Sequence, residues 1–164
     1  LLHDAGAKLK VSDISAENIQ RAVSEFGAGV VEPAEFFEAG ADIIAPCALG
    51  GVLNKQTIPT IKDKVIAGAA NNQLATEADG DRLQNRGILY APDYVINAGG
   101  VISFASERDA HATQASVHAP IEKIGDRLKE IYTHSRTSGR PPHEVADEMA
   151  REIMRAAQKN KSNS

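Results

Sequence analysis

The chain has 164 residues, 42% of them hydrophobic and 24% charged, which fits one globular domain with a sizeable core. Its 22 acidic and 18 basic side chains leave a net charge of −4, no electrostatic footprint for a nucleic-acid partner. The single cysteine, Cys47, excludes an intrachain disulfide framework or a cysteine-rich zinc site and points to a reducing compartment. No apolar run reaches the ~18 residues of a membrane span, and no secretory pattern opens the chain, so the expected setting is cytoplasmic with no membrane partner.

Leu1-Leu2-His3-Asp4-Ala5-Gly6 lacks an initiator methionine and reads as the closing turn of a helix, so an N-terminally truncated chain is expected. A short β-prone run over 7–14 ends at Asp13 and Ile14. "SAENIQRAVSEFG" then carries Ile19, Ala22, Val23 and Phe26 at helical spacing and stops on Gly27. "AGVVEP" reads as a second strand, "AEFFEAG" as a short helix closed by Gly40, and "ADIIAPCALGG" as a third strand entering a glycine pair. "QTIPTIKDK" is a brief turn or helix, "VIAGAANNQL" a fourth strand, "ATEADGDRLQNRG" a helix, and "ILYAPDYVINAGG" a fifth strand or extended segment. Short strands that are apolar throughout and separated by helices predict a parallel sheet covered on both faces, an open doubly wound α/β fold. Beyond Gly100 the chain reads as helical. Val117, Ile121, Ile124, Leu128 and Ile131 form one stripe, "SGRPP" breaks it, and a last amphipathic helix runs through Val145, Met149, Ile153 and Met154. The basic tail with Arg151, Arg155, Lys159 and Lys161 reads as a solvated helix face.

In such sheets ligands sit beyond the carboxyl ends of the strands. The exits here are Asp13, Glu32-Pro33, Cys47 to Gly51, Asn71-Asn72-Gln73 and Asn97 to Gly100. Acids, carboxamides and small residues suit a neutral polar ligand with sugar hydroxyls and an amide. Asp13 has two readings: it takes both hydroxyls of an adenosine ribose, favouring NAD over NADP, or it merely helps cap the next helix. The first places the glycine-rich phosphate turn ~20 residues upstream, before Leu1. Cys47 is expected to be a small buried residue, because none of the five histidines stands in a motif that would activate it. His111 and His118 read as surface residues, and no histidine spacing suggests a metal site. Asn71, Asn72 and Asn97 are each ordinary turn formers taken singly. Several amide-rich exits together point to a dinucleotide site, where a carboxamide and ribose supply partners and the glycines beside Asn97 let a flat ring approach.

"APCALGG", "VIAGAANNQL" and "GILYAPDYVINAGGVI", in this order and spacing, closely resemble the cofactor-binding domain of the glutamate, leucine, phenylalanine and valine dehydrogenase family, the leucine branch most of all. The resemblance implies a Rossmann-like, N-terminally truncated dinucleotide-binding domain over residues 1–105, with C-terminal helices over 106–164 packing on it. It implies reversible, NAD-dependent oxidative deamination of an L-amino acid to a 2-oxo acid and ammonia by a homo-oligomer. Hydride would pass from the substrate α-carbon to the nicotinamide, and lysine-activated water would hydrolyse the imino acid. By the same resemblance Asp13 binds the adenosine ribose; Cys47, Ala48 and Asn72 lie along the cofactor, beside the Asn71 that the strand-exit reading adds to the dinucleotide site; Asn97 and Gly99 sit near the nicotinamide. Val101 and Phe104 would line the substrate side-chain pocket, where a ring at Phe104 departs from the aliphatic residues common in the leucine branch. No lysine from Lys8 to Lys161 has the glycine-rich setting of the family's catalytic lysine, so no catalytic residue is carried over. Alone, the chain is expected to be catalytically silent, with residues 110–158 poorly anchored. The alternative is a stand-alone, non-catalytic nucleotide-binding or interaction module.

Overall fold

The computed structural model describes residues 1–106 and 113–162. Strand β1 (Lys10–Val11) leads into α1 (Ala16–Phe26), whose first turn is capped by the Ser15 hydroxyl accepting from Asn18 N–H at 3.3 Å. Gly27, at φ 60°, ends it in the left-handed conformation that glycine enters freely, donating to the Ala22 and Val23 carbonyls. Strand β2 (Gly29–Val30) follows, then a 3-10 helix over Pro33–Glu38 where a short helix was expected. Next come β3 (Ile43–Ile44), a 3-10 turn at Ile58–Thr60, β4 (Val65–Ile66), α2 (Glu77–Asn85) and β5 (Leu89–Tyr90).

All strand pairings are parallel, but they form two sheets rather than the single one the sequence predicts: β1 with β2, and β3-β4-β5 with β4 central. Among the described residues no ladder joins β1 to β3. Among the described residues cover is uneven: Ile44, Ile66 and Tyr90 are buried, whereas Ile43 is 57% and Val30 52% exposed. β3, β4 and β5 are short because proline or glycine interrupts each of these apolar runs within two residues: Pro46 after β3, Gly68 after β4, Pro92 after β5.

The fifth apolar segment differs most from its sequence reading. Only Leu89–Tyr90 is strand. Pro92, at φ −55°, offers its carbonyl to the N–H groups of Val95 (2.9 Å) and Ile96 (3.1 Å), and the chain turns into α3 (Asp93–Ile96). Asn97 therefore follows a helix, not a strand, and α4 (Gly99–Ser106) begins two residues later.

One core gathers Ile44, Leu53, Ile58, Ile61, Ile66, Leu83, Ile88 and Tyr90 between the three-stranded sheet and α2. A second joins α6 (Ile124–Ser138) to α7 (Pro142–Ser162) through Ile131, Val145 and Ala146, with Val95 of α3 and Met149 against it. Helix α5 (Gln114–Glu122) precedes them, and Gly139, at φ 72°, makes the break between α6 and α7. Poor anchoring of the tail is thus wrong for α6 and the first half of α7. The Tyr94 hydroxyl donates to Asp147 Oδ1 at 2.7 Å, and Gln84 Nε2 donates to the Gly139 carbonyl at 2.6 Å. Farther along α7 the helix stands clear of the body, with Ile153 and Met154 exposed.

Two glycines should respond oppositely to alanine. A Cβ at Gly68 would fall on the Pro46 carbonyl and ring, whereas one at Gly125 meets nothing within 4 Å. We expect Gly125→Ala to raise stability by about 0.5–1 kcal/mol by removing a helix-disfavouring residue, and Gly68→Ala to lower it by more than 1 kcal/mol; urea unfolding of each variant checks the pair of signs.

Candidate functional site

The exits of β3 and β4 are laced together by backbone. Ala70 N–H donates to the Pro46 carbonyl (2.9 Å), Gly51 N–H to Asn72 (2.7 Å), Leu53 N–H to Gln73 (2.9 Å), and Ala75 N–H back to Leu53 (3.0 Å). Gly50 is required there: a Cβ would stand 2.8 Å from the Asn71 carbonyl oxygen and 3.0 Å from that of Asn72. Asn72 itself has φ 53°, the only described residue other than glycine in the left-handed region, which asparagine tolerates better than most side chains.

This lacing sets Asn71 opposite Asn97, whose Nδ2 donates to Asn71 Oδ1 at 2.9 Å. Among the described residues the far end of each amide, the acceptor Asn97 Oδ1 and the donor Asn71 Nδ2, remains for a further partner. Gly99 opens α4 just beyond it. Cys47 and Ala48 lie in the β3 exit loop, both exposed, so the expectation of a buried Cys47 is corrected: the loop leaves the sheet directly after Pro46, and among the described residues no element covers the thiol. Val101 and Phe104 are 73% and 62% exposed on α4.

Asp13 belongs to the other sheet. Its Oδ1 accepts from Ser15 N–H at 2.8 Å and its Oδ2 from Asn18 Nδ2 at 3.2 Å. These bonds, the Ser15 backbone one first, hold its carboxyl below the ordinary range. It lines a hollow of about 260 Å³ with Ser12, Phe36 and Ala45, which brings the β1 exit beside the start of the β3 exit loop. The helix-supporting role of Asp13 is therefore present; the hollow leaves room for a ligand hydroxyl as well.

Behind the carboxamide pair, three buried side chains brace the loop. Gln73, with no exposed surface, donates through Nε2 to the carbonyls of Gly68 (2.7 Å) and Ala70 (3.0 Å). Asp93 Oδ2 accepts from Gln73 N–H and from the Tyr90 hydroxyl, both at 2.8 Å. Burial, and then the Asp93 carboxylate, push the Tyr90 phenol well above its usual pKa, so it remains a donor. Asp93 and Tyr90 escaped the sequence reading, because their partners lie in other elements and no spacing signals them.

A larger crevice of about 860 Å³ lies between the start of α2 and α7. It touches Asn72 and Asp93 but not Cys47, Ala48, Asn71, Asn97 or Gly99, and acids and arginines both line it. Its lining of acids and arginines differs from the mainly apolar lining usual in ligand pockets. Asp81, His143 and Glu144 set three metal-ligand atoms within 4.8 Å of one another on its wall. Glu144 is already paired with Arg140 at 3.1 Å, and a guanidinium so close opposes a cation; no metal is assigned there.

An open parallel α/β fold with small, carboxamide-bearing strand exits defines the class of domains that take a ligand beyond the carboxyl edge of the sheet. Comparison with known proteins specifies it further. Residues 5–162 match the sequence profile described as Glutamate/Leucine/Phenylalanine/Valine dehydrogenase, and the chain belongs to that family. It is 46% identical over 161 residues to a leucine dehydrogenase of Geobacillus stearothermophilus, covering 98% of this chain and 44% of that protein. The crystal structure of L-tryptophan dehydrogenase from Nostoc punctiforme superposes with a TM-score of 0.88 at 39% identity, over 92% of this chain and 46% of the other. A glutamate dehydrogenase from Peptoniphilus asaccharolyticus, at 20% identity and TM-score 0.59, shares the fold. The chain thus spans a little under half the length of the relatives it matches.

The turn that carries the Asn71–Gln73 loop into α2 depends on Asp79, which is 1% exposed. Burial raises its pKa, but hydrogen bonds from the Thr76 hydroxyl (2.7 Å), Arg82 and the Thr76 N–H (2.9 Å) outweigh this and hold it below its ordinary 3.8. A depressed pKa contributes stability above that value that is lost as pH falls through the folded one. We expect Asp79→Asn to be less stable at pH 7 by about 1 kcal/mol and to lose less on acidification below about pH 4, in urea melts at stepped pH.

Proposed function

We propose that this chain is the cofactor-binding part of an NAD-dependent L-amino-acid dehydrogenase, which converts an apolar amino acid reversibly to a 2-oxo acid and ammonia. The observation that carries this reading is the Asn71–Asn97 pair, whose remaining acceptor and donor match the amide N–H and carbonyl of a nicotinamide carboxamide. NAD would supply the hydride acceptor; the residues here would bind and orient it. Asn97 and Gly99 would meet the carboxamide end, Cys47, Ala48 and Asn72 would run along the middle, and Asp13 would take the adenosine ribose with its two acceptor oxygens. The Asp13 carboxylate would repel a 2′-phosphate, which favours NAD over NADP.

Val101 and Phe104 would face the substrate side chain from α4. A branched-chain substrate such as leucine is the first candidate, with an aromatic one next, since similar proteins are named for leucine, tryptophan and phenylalanine. We assign no catalytic residue to this chain and place the lysine chemistry in the rest of a longer, homo-oligomeric, cytoplasmic protein. Residues 1–105 would form the dinucleotide domain and 106–164 its helical extension. A further parallel strand between β1 and β3, each of which pairs on one side only among the described residues, would join the two sheets into one doubly wound sheet.

Initial rates of the complete protein with NAD, across branched-chain and aromatic L-amino acids, test the reading. We expect at least one apolar amino acid to reduce NAD and this chain alone to reduce none. Failure of every amino acid with the complete protein, while this chain by itself binds NADH, would favour a non-catalytic module.

A further inference from the structure

We infer that Asp93 is a positioning residue that sets the geometry of the Asn71–Asn97 carboxamide pair, an inference that rests on the proposed cofactor reading. Asp93 is bonded to both sides of the pair. Its main-chain carbonyl accepts from Asn97 N–H at 2.8 Å, and its carboxylate holds the N–H of Gln73, the residue after Asn72, at 2.8 Å. The Tyr90 hydroxyl fixes the same carboxylate oxygen from the end of β5 at 2.8 Å. One side chain therefore locks the β4 exit, the β5 exit and the start of α3 into one unit.

The burial makes this costly to loosen. Asp93 is 8%, Tyr90 2% and Gln73 0% exposed, and a buried acceptor or donor stripped of its partner loses the full desolvation energy. No ion pair neutralises Asp93 among the described residues, so the two hydrogen bonds to Oδ2 carry the burden of holding it. Without them the Asn72 loop, already in the left-handed region, keeps its backbone contacts with the β3 exit and the Gln73 side-chain bonds to Gly68 and Ala70, none of which reaches the start of α3. A ligand amide that needs a donor and an acceptor at fixed separation would feel that change directly.

The test uses the complete protein with Asp93→Ala, Asp93→Asn and Tyr90→Phe, measuring folded fraction by circular dichroism, NADH affinity by fluorescence, and kcat and KM for NAD. Asparagine can place its carbonyl where Oδ2 stands and keep both bonds. We expect Asp93→Ala to weaken NADH binding and raise KM for NAD by tenfold or more. Tyr90→Phe, which removes the hydroxyl that donates to Asp93 Oδ2 and accepts from Asp93 N–H, should raise the NADH Kd and the KM for NAD by about threefold to tenfold, and Asp93→Asn should stay within about threefold of wild type. A structural role alone would lower kcat with the folded fraction and leave KM and NADH affinity of the folded protein unchanged, which would overturn the inference. If Asp93→Ala does not fold, Tyr90→Phe decides by the same criterion. Wild-type protein that binds no NADH overturns the cofactor reading and this inference together; wild type that binds, with variants that bind equally, overturns this inference alone.

Discussion

The close approach of two loop backbones governs the arrangement. Where β3 and β4 end, the chain at Pro46 to Gly51 lies directly on the chain at Gly68 to Gln73, and only glycine at positions 50 and 68 lets it do so. Four backbone hydrogen bonds follow from that contact and extend the parallel pairing of β3 and β4 beyond their ends. Because the β4 exit is pinned in this way, Asn72 adopts a left-handed conformation and Gln73 is drawn fully inside.

From Gln73 the constraint passes to β5. The Asp93 carboxylate is tied to Gln73 and Tyr90, so the helix that begins at Asp93 has its position set by the β4 exit as well as by the proline before it. Asn97 ends that helix and meets Asn71. In the other direction Tyr94 of α3 reaches α7 through Asp147 and the His143 carbonyl, so the helical region is fastened to the same unit. The carboxamide pair thus sits on rigid support although each asparagine is in a loop, a requirement for any site that must present donor and acceptor at fixed separation.

Much of this was legible in the sequence where a local rule governs. Gly27, Gly40 and Gly139 were readable as stops, and each has positive φ. The apolar runs marked every strand. What local rules do not encode was missed. That β1 and β3 lack a ladder between them depends on strand order, which spacing does not reveal. "ILYAPDYVINAGG" reads as extended because it is apolar, yet Pro92 and the Asp93 contacts with distant Gln73 turn it into helix. The exposure of Cys47 likewise depends on which elements fail to cover it. The candidate site was legible at Asn71, Asn72 and Asn97, whose amides stand out in apolar surroundings; its bracing by Asp93 and Tyr90 was not, because it exists only after folding.

The claim that these strand exits form one cofactor surface is tested most directly by hydrogen exchange of the complete protein with and without saturating NADH. On one cofactor surface, residues 46–51, 70–73 and 93–100 gain protection together, with residues 12–18 around Asp13 protected at the other end of the ligand. Protection confined to the crevice between α2 and α7, or no protection of the Asn71–Asn97 segments by bound NADH, would contradict it.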